Sequence, residues 1–328
     1  MIITKSPLRV SLLGGGADIP EFYEKEPAVI FGGGINQHVY VISNQLSKFS
    51  KEKFRFTYRI TESVLRPNDF EHPVLRTVLM QFTDIRSINL TTFSDIPGRT
   101  GLGSSSAFTV ALLGNLHALT QSRVANKDLA LEAINIERVN LKEAGGVQDQ
   151  LHTAIGGLRF YEISKSGISI SDNFCDSEFY KAINQSMLLV RVGEFRNSHD
   201  VHFSQKGDKP DHKILKEICD IAQYFQTSFR KDELSLDLLA ECMNETWKLK
   251  KSIDSRITND QINEVINIGL KKGAQAAKLC GAGGSGFVLF IAPPEVLIRL
   301  IEVFSEEKCQ KVEFTCRGFE EFRYPELY

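Results

Sequence analysis

The chain has 328 residues, 42% of them hydrophobic and 24% charged, which is enough for a sizeable core and for two domains. Its 39 basic and 41 acidic residues are interspersed, for a formal net charge of −2; this argues against a nucleic-acid partner and favours small or phosphorylated metabolites. The cysteines (Cys175, Cys219, Cys242, Cys280, Cys309, Cys316) form no Cys-x-x-Cys pair and read as reduced structural thiols. MIITKSPLRVSLLGGG lacks a signal peptide's layout and no apolar run reaches membrane-spanning length, so a cytoplasmic protein with no membrane partner is expected.

In chain order, LRVSLLGGG reads as a strand ending in glycines. AVIFGGGI and HVYVIS follow as strands, and KFRFTYRI alternates with period two. HPVLRTVLMQF reads as a helix, INLTTFSDIP as a strand, and SSAFTVALLGNLHALT as a helix by its apolar spacing. NKDLALEAINIERVNLKEAGG is a further helix with Asn126 as its cap; VQDQLHTAIGG is a short helix and LRFYEI a strand. The composition shifts near residue 185. SMLLVRVGE reads as a buried strand, amphipathic helices dominate from about 211 to 280, and FVLFIA, EVLIRLIEVFSEE and KVEFTCR read as strand, helix and strand. This mixed order predicts two α+β domains, 1–185 and 186–328, rather than a regular βαβ repeat.

Three glycine-rich stretches punctuate the chain: Gly14–Gly16 followed by Ala17 and Asp18, Gly101–Ser106, and KLCGAGGSGF. The third matches G-x-G-x-x-G, but a helix precedes it and a strand follows, the reverse of a dinucleotide site. It reads instead as a glycine loop approaching another backbone or an anion. The second lies between a strand and a helix that starts within its serines, where free N–H groups and the helix dipole favour an anion. No lysine follows its second glycine, so it is not a P-loop, and a magnesium ion held by a serine hydroxyl and a carboxylate would supply the missing charge. The alternative is a structural helix capped by serine.

Two carboxylates stand out. Glu137 is in helical register with Ala130, Ala133, Ile134 and Leu141, on a face expected to be buried, where an acid is paired or ligating; a salt bridge to Arg138 is the simpler reading. Asp149 follows Gly145–Gly146 at a helix start, a place an ordinary cap also takes.

PLRVSLLGGGADIP, PGRTGLGSSSAF and KLCGAGGSGF, in this order, resemble the three motifs of the GHMP kinases, across almost the whole chain. Within that family GGVQDQLHTAIGG, GLGSSSAFTVALLGNLHAL, MNETWKLKKSI and KLCGAGGSGF most resemble the heptose 7-phosphate kinases, which phosphorylate the anomeric hydroxyl of D-glycero-D-manno-heptose 7-phosphate. The resemblance implies a two-domain α+β fold with ATP and a sugar meeting in the inter-domain cleft. It implies that Pro97, Gly98, Gly101, Leu102, Gly103, Ser104, Ser105 and Ser106 surround the ATP phosphates, with Mg2+ on Ser105 and Glu137. Asp149 and Arg9 take the catalytic positions, and Asp18, Gly15, Gly16, Gly283 and Gly284 lie beside the sugar. Ala17 stands where threonine or serine is usual, and FGGGINQHVY departs from the heptose kinases; both are expected where the sugar is read.

For a sugar phosphate, Arg191, Arg196 and Ser198 are candidate contacts, with Arg196 foremost. Lys248, Lys250 and Lys251 read as a solvated helix face with Trp247 on the packed side. His199 and His202 have metal-like spacing but no third ligand. The competing readings are a galactokinase-like kinase of an unphosphorylated hexose and a sugar- and ATP-binding regulator without catalysis. Nothing in the sequence excludes a homodimer.

Overall fold

The computed structural model describes residues 1–171, 173–193, 211–231 and 233–324. β1 (Ile2–Leu13) leads to α1 (Pro20–Tyr23), a single turn opened by a proline whose fixed φ suits a first helical position. β2 (Ala28–Asn44) unites the two expected strands into one. Its glycines permit close pairing: a Cβ on Gly32 would run into the Val10 carbonyl, and one on Gly33 into the Gly157 carbonyl. β3 (Phe54–Thr57) and β4 (Thr61–Val64) form a hairpin, followed by α2 (Pro73–Leu79), β5 (Ile88–Ser94) and α3 (Ser104–Leu119).

α4 (Asn126–Ile134) passes into a π-helical turn, Asn135–Asn140, so the single long helix expected here is interrupted. Asn126 is not its cap: Ala125 holds that position, and the Asn126 amide donates instead to the Phe319 carbonyl at 3.4 Å. Then come α5 (Gln148–Ile155), β6 (Leu158–Ser164), β7 (Gly167–Ile170), α6 (Glu178–Asn184) and β8 (Met187–Val192). The remainder holds α7 (His212–Arg230), α8 (Leu236–Ile253), α9 (Asp260–Lys271), β9 (Ala276–Leu279), β10 (Gly286–Ile291), α10 (Pro294–Phe304), β11 (Cys309–Lys311) and β12 (Glu320–Arg323).

Two sheets organise these elements. The larger has the order β12-β1-β2-β5-β3-β4, with β6 and β7 added along the first half of β2; the smaller has the order β11-β8-β10-β9. α3 packs against β1 and β2 and is buried on nearly every side, which the apolar residues spread around it suit. Phe31 stacks on Phe160 at 4.3 Å and touches Phe225 of α7, which fastens that helix to the larger sheet. Each such fully buried phenylalanine contributes roughly 1.5–3 kcal/mol.

Three expectations are corrected. Ala276–Leu279 is a strand rather than the end of a helix running into the glycine loop, because pairing with β10 and burial at all four positions override its weak strand propensity. Only the start of the last expected strand lies in the smaller sheet. Phe314 already bridges Ile35, and β12 pairs with β1, so the chain beyond β11 returns to the larger sheet. Cys175 and Cys316 are joined, not free: across 141 residues their Cα atoms stand 5.7 Å apart, the spacing a disulfide needs. Cys219, Cys242 and Cys280 are buried free thiols and Cys309 is half-buried.

Candidate active site

The second and third glycine stretches meet backbone to backbone. Gly101 has φ +79°, and a Cβ there would run into the Cys280 carbonyl; Gly281, at φ +76°, faces the Gly101 Cα in return. Glycine is required at both places by conformation and by contact. The sequence left another backbone or an anion open for the third stretch, and the structure places another backbone there.

Gly103, at φ +73°, turns the chain into α3, and a Cβ on it would press against the Arg9 side chain. Arg9 is thereby threaded from β1 across the loop. Its backbone N–H donates to the Leu102 carbonyl at 2.9 Å and its Nη1 to the Gly101 carbonyl. Its Nε and Nη2 each donate to an Asp149 carboxylate oxygen at 2.7 Å, the bidentate geometry that suits a guanidinium to a carboxylate. Burial alone would raise the Asp149 pKa, but the Arg9 charge and hydrogen bonds more than offset it and hold the carboxyl below its usual range.

Asp18 is almost fully buried and accepts from the Gly16 N–H, the Gln148 N–H and Gln148 Nε2, each at 3.0 Å. Burial still pushes its carboxyl above the ordinary value. Gly146 lies so close that a Cβ would overlap the Asp18 carboxylate. Glu137, on the π-helical turn, is 1% exposed, and burial raises its pKa to about 7. Its Oε2 accepts from Ser106 at 2.9 Å and from Gln150, with Arg138 Nη2 at 3.7 Å, while its Oε1 has no hydrogen-bond partner.

A cleft of about 350 Å³ brings together Arg9, Gly15, Gly16, Asp18, Ser105, Ser106, Glu137 and Asp149 from the predicted set. Pro97 and Gly98 lie exposed on the loop surface, and Gly101–Ser104 build the loop without lining the cleft. Gly283 and Gly284 do not line it either. A Cβ on Gly283 would press on the Ile257 backbone, and the Gly284 N–H donates to the Ile257 carbonyl at 3.1 Å; Gly281 and Ala282 take the cleft wall instead. Ala17 and the Phe31–Tyr40 stretch are likewise absent from the lining. Arg191 lies on β8 opposite Phe287, away from the cleft. Arg196, Ser198, His199 and His202 fall outside the described residues.

Sequence reasoning missed Gln148 and Lys278 as cleft residues and misread Lys250, which turns inward and donates to the Gly281 carbonyl at 2.8 Å. Gln148 adjoins the predicted Asp149, which was its only signal. Lys278 opens the third glycine stretch; it is 5% exposed and donates to the Ser11 and Leu12 carbonyls at 2.8 and 2.9 Å. The larger-sheet body therefore supplies the carboxylates and Arg9, while the smaller-sheet side supplies two lysines. Among the described residues no helix is long and apolar enough to cross a membrane.

A glycine loop at a helix start, a clamped carboxylate and a cleft between two α+β bodies define a small-molecule phosphotransferase. Residues 72–157 match the GHMP kinases N-terminal domain and residues 228–307 the GHMP kinases C-terminal domain. The D-glycero-alpha-D-manno-heptose 7-phosphate kinase of Campylobacter jejuni is 26% identical, with 98% of this chain and 99% of that protein aligned. Two crystal structures share the fold with a TM-score of 0.79. A D-glycero-D-manno-heptose 1-phosphate kinase from Bacteriodes thetaiotaomicron is 20% identical and covers 99% of this chain and 100% of its own. A putative sugar kinase from C. jejuni is 23% identical and covers 98% of each. The chain belongs to the GHMP kinase family, ATP-dependent phosphotransferases with a hydroxyl acceptor.

Proposed function

We propose that the protein transfers the γ-phosphoryl group of ATP to the anomeric hydroxyl of D-glycero-D-manno-heptose 7-phosphate, giving the 1,7-bisphosphate, in the cytoplasm. The observation that carries this reading is Asp149, held ionised by two bonds from Arg9 where the glycine loop meets the Asp18 pocket. The end-to-end likeness to the Campylobacter heptose 7-phosphate kinase supports the choice of acceptor.

The N–H groups opening α3, with Gly101 and Gly103 turning the loop around them, bind the ATP phosphates. Arg9 offsets developing negative charge there and fixes the Asp149 carboxylate. Asp149 accepts a hydrogen bond from the acceptor hydroxyl and takes its proton. A carboxylate of lowered pKa is a weak base, so that transfer comes late, as a loose phosphoryl-transfer transition state allows. Asp18, oriented by Gln148, binds a sugar hydroxyl, and the apolar side chains of Ile19, Leu215, Ile253 and Ile257 wall the acceptor from water.

The residues fit a magnesium ion. The buried, unpartnered Glu137 Oε1 and the cleft-facing Ser105 hydroxyl would hold it, with Ser106 and Gln150 fixing the other Glu137 oxygen. When bound, the ion neutralises charge on the phosphate oxygens.

ADP release with heptose 7-phosphate, dephosphorylated heptose and galactose tests the acceptor. A kcat/KM at least about 100-fold higher for the phosphosugar is expected, because a site built for a charged group rejects analogues lacking it. Phosphorus NMR should show a new anomeric phosphate. Equal or better turnover of an unphosphorylated hexose would refute heptose 7-phosphate as the acceptor.

A further inference from the structure

Three lysines near the end of α8 have different surroundings. Lys248 is exposed and pairs with Glu245 at 2.6 Å, and Lys251 lies 6.0 Å from the centre of the packed Trp247 ring. Both fit a solvated helix face. Lys250 instead enters the cleft, where its Nζ donates to the Gly281 carbonyl at 2.8 Å.

That bond fixes where the ammonium lies. Gly281 rests against Gly101, so Lys250 reaches the phosphate loop from the opposite body of the molecule. The charged groups facing it are Arg9, Asp18, Asp149 and Lys278, with the Cys280 thiol alongside. Neither carboxylate pairs with it: Asp149 pairs with Arg9, one bond to each oxygen, and Asp18 is held by Gly16 and Gln148. Among the described residues Lys250 forms no salt bridge, and only one of its three ammonium donors is used. A partly buried ammonium without a counter-ion is costly unless an anion arrives. Lys278, the other cleft lysine, is committed to the Ser11 and Leu12 carbonyls beside the Gly14–Gly16 turn, on the acceptor side.

We propose that Lys250 is a catalytic residue whose ammonium contacts the phosphoryl group in flight, supplying from the smaller-sheet side the cation that the glycine loop lacks. In the step, the bond from the γ-phosphorus to the bridging oxygen breaks and its electron pair leaves with ADP. A bond forms from the acceptor oxygen to phosphorus, and the hydroxyl proton passes to Asp149. Lys250 gives and takes no proton; its two unused N–H donors neutralise charge on the equatorial oxygens. Burial lowers its pKa in the empty cleft, and a bound phosphoryl group reverses that tendency.

The inference rests on the kinase reading but not on which sugar is the acceptor, so the assay uses whichever acceptor the wild type turns over fastest. Lys250→Gln keeps a donor for the Gly281 carbonyl and removes the charge. Its kcat should fall about 100-fold or more, with acceptor KM and the Kd of MgADP within about threefold of wild type; Lys250→Arg should recover part of the loss. Independently of any acceptor, MgADP with fluoroaluminate, which mimics the phosphoryl group in transfer, should bind the wild type about tenfold more tightly than Lys250→Gln. A kcat within threefold of wild type, equal fluoroaluminate binding, or a loss confined to acceptor KM would each overturn the proposal. Failure of heptose 7-phosphate in the wild type would contradict the acceptor assignment alone.

Discussion

Lys278 shows how a single buried charge acquires a pH dependence. Burial, reinforced by Lys250 and Arg9 and opposed by the Cys280 thiol, lowers its pKa to about 7, against about 10.4 in an unfolded chain. Between those values the unfolded state holds a proton that the folded state has released, so this group makes stability rise with pH; below about 7 both states are protonated and its slope vanishes. In ligand-free protein the wild type should therefore gain on Lys278→Met from pH 7 to pH 10, by at most about 1.4 kcal/mol per pH unit. Thermal melts across that range check it, and a constant difference would contradict it. Arg9, Asp18, Glu137 and Asp149 were legible in the sequence because each sits in or beside a motif, or at a helical register that buries an acid. The lysines were not legible. In WKLKK one residue turns inward while its neighbours face water, and only packing against Gly281 decides which.

Among the elements, the junction of α1 and α5 sets the acceptor pocket. Gly146 has no positive φ, yet its hydrogen faces the Asp18 carboxylate, so the need for glycine is purely steric. Gly146→Ala should push Asp18 away from Gln148 and weaken a charged hydrogen bond, a loss of about 1.5–3 kcal/mol that raises acceptor KM about tenfold or more. The Kd of MgADP should not move; measuring both constants distinguishes a local displacement from general damage. The strand-to-helix placement of Gly101–Ser106 was readable from composition and order. The π-helical turn bearing Glu137 was not, because no residue pattern marks a π-turn and surrounding contacts impose it. The register argument that buried Glu137 nevertheless held, since the turn lies at the end of α4 and leaves the buried face intact.

On the scale of the whole molecule, the chain closes on itself. Residues beyond β11 cross back, Phe314 bridges Ile35, Cys316 joins Cys175, and β12 pairs with β1. The two-domain fold was visible in the three ordered motifs, but the return was not: a short polar strand carries little signal, and two cysteines 141 residues apart give no spacing to read. Closing a loop of 141 residues places the disulfide's contribution at the upper end of the usual range, about 4–5 kcal/mol. Cys316→Ser should thus lower Tm by about 4 °C or more, and a reductant should lower wild type to the variant's value while leaving the variant unchanged.

Asp149→Asn keeps the shape of the Arg9 partner and removes its charge and its capacity to take a proton. With ATP, magnesium and the preferred acceptor, kcat should fall about 1,000-fold or more while the Kd of MgADP stays within about threefold of wild type. Turnover at the wild-type rate would remove Asp149 from the mechanism and with it the reading of this cleft as a phosphoryl-transfer site.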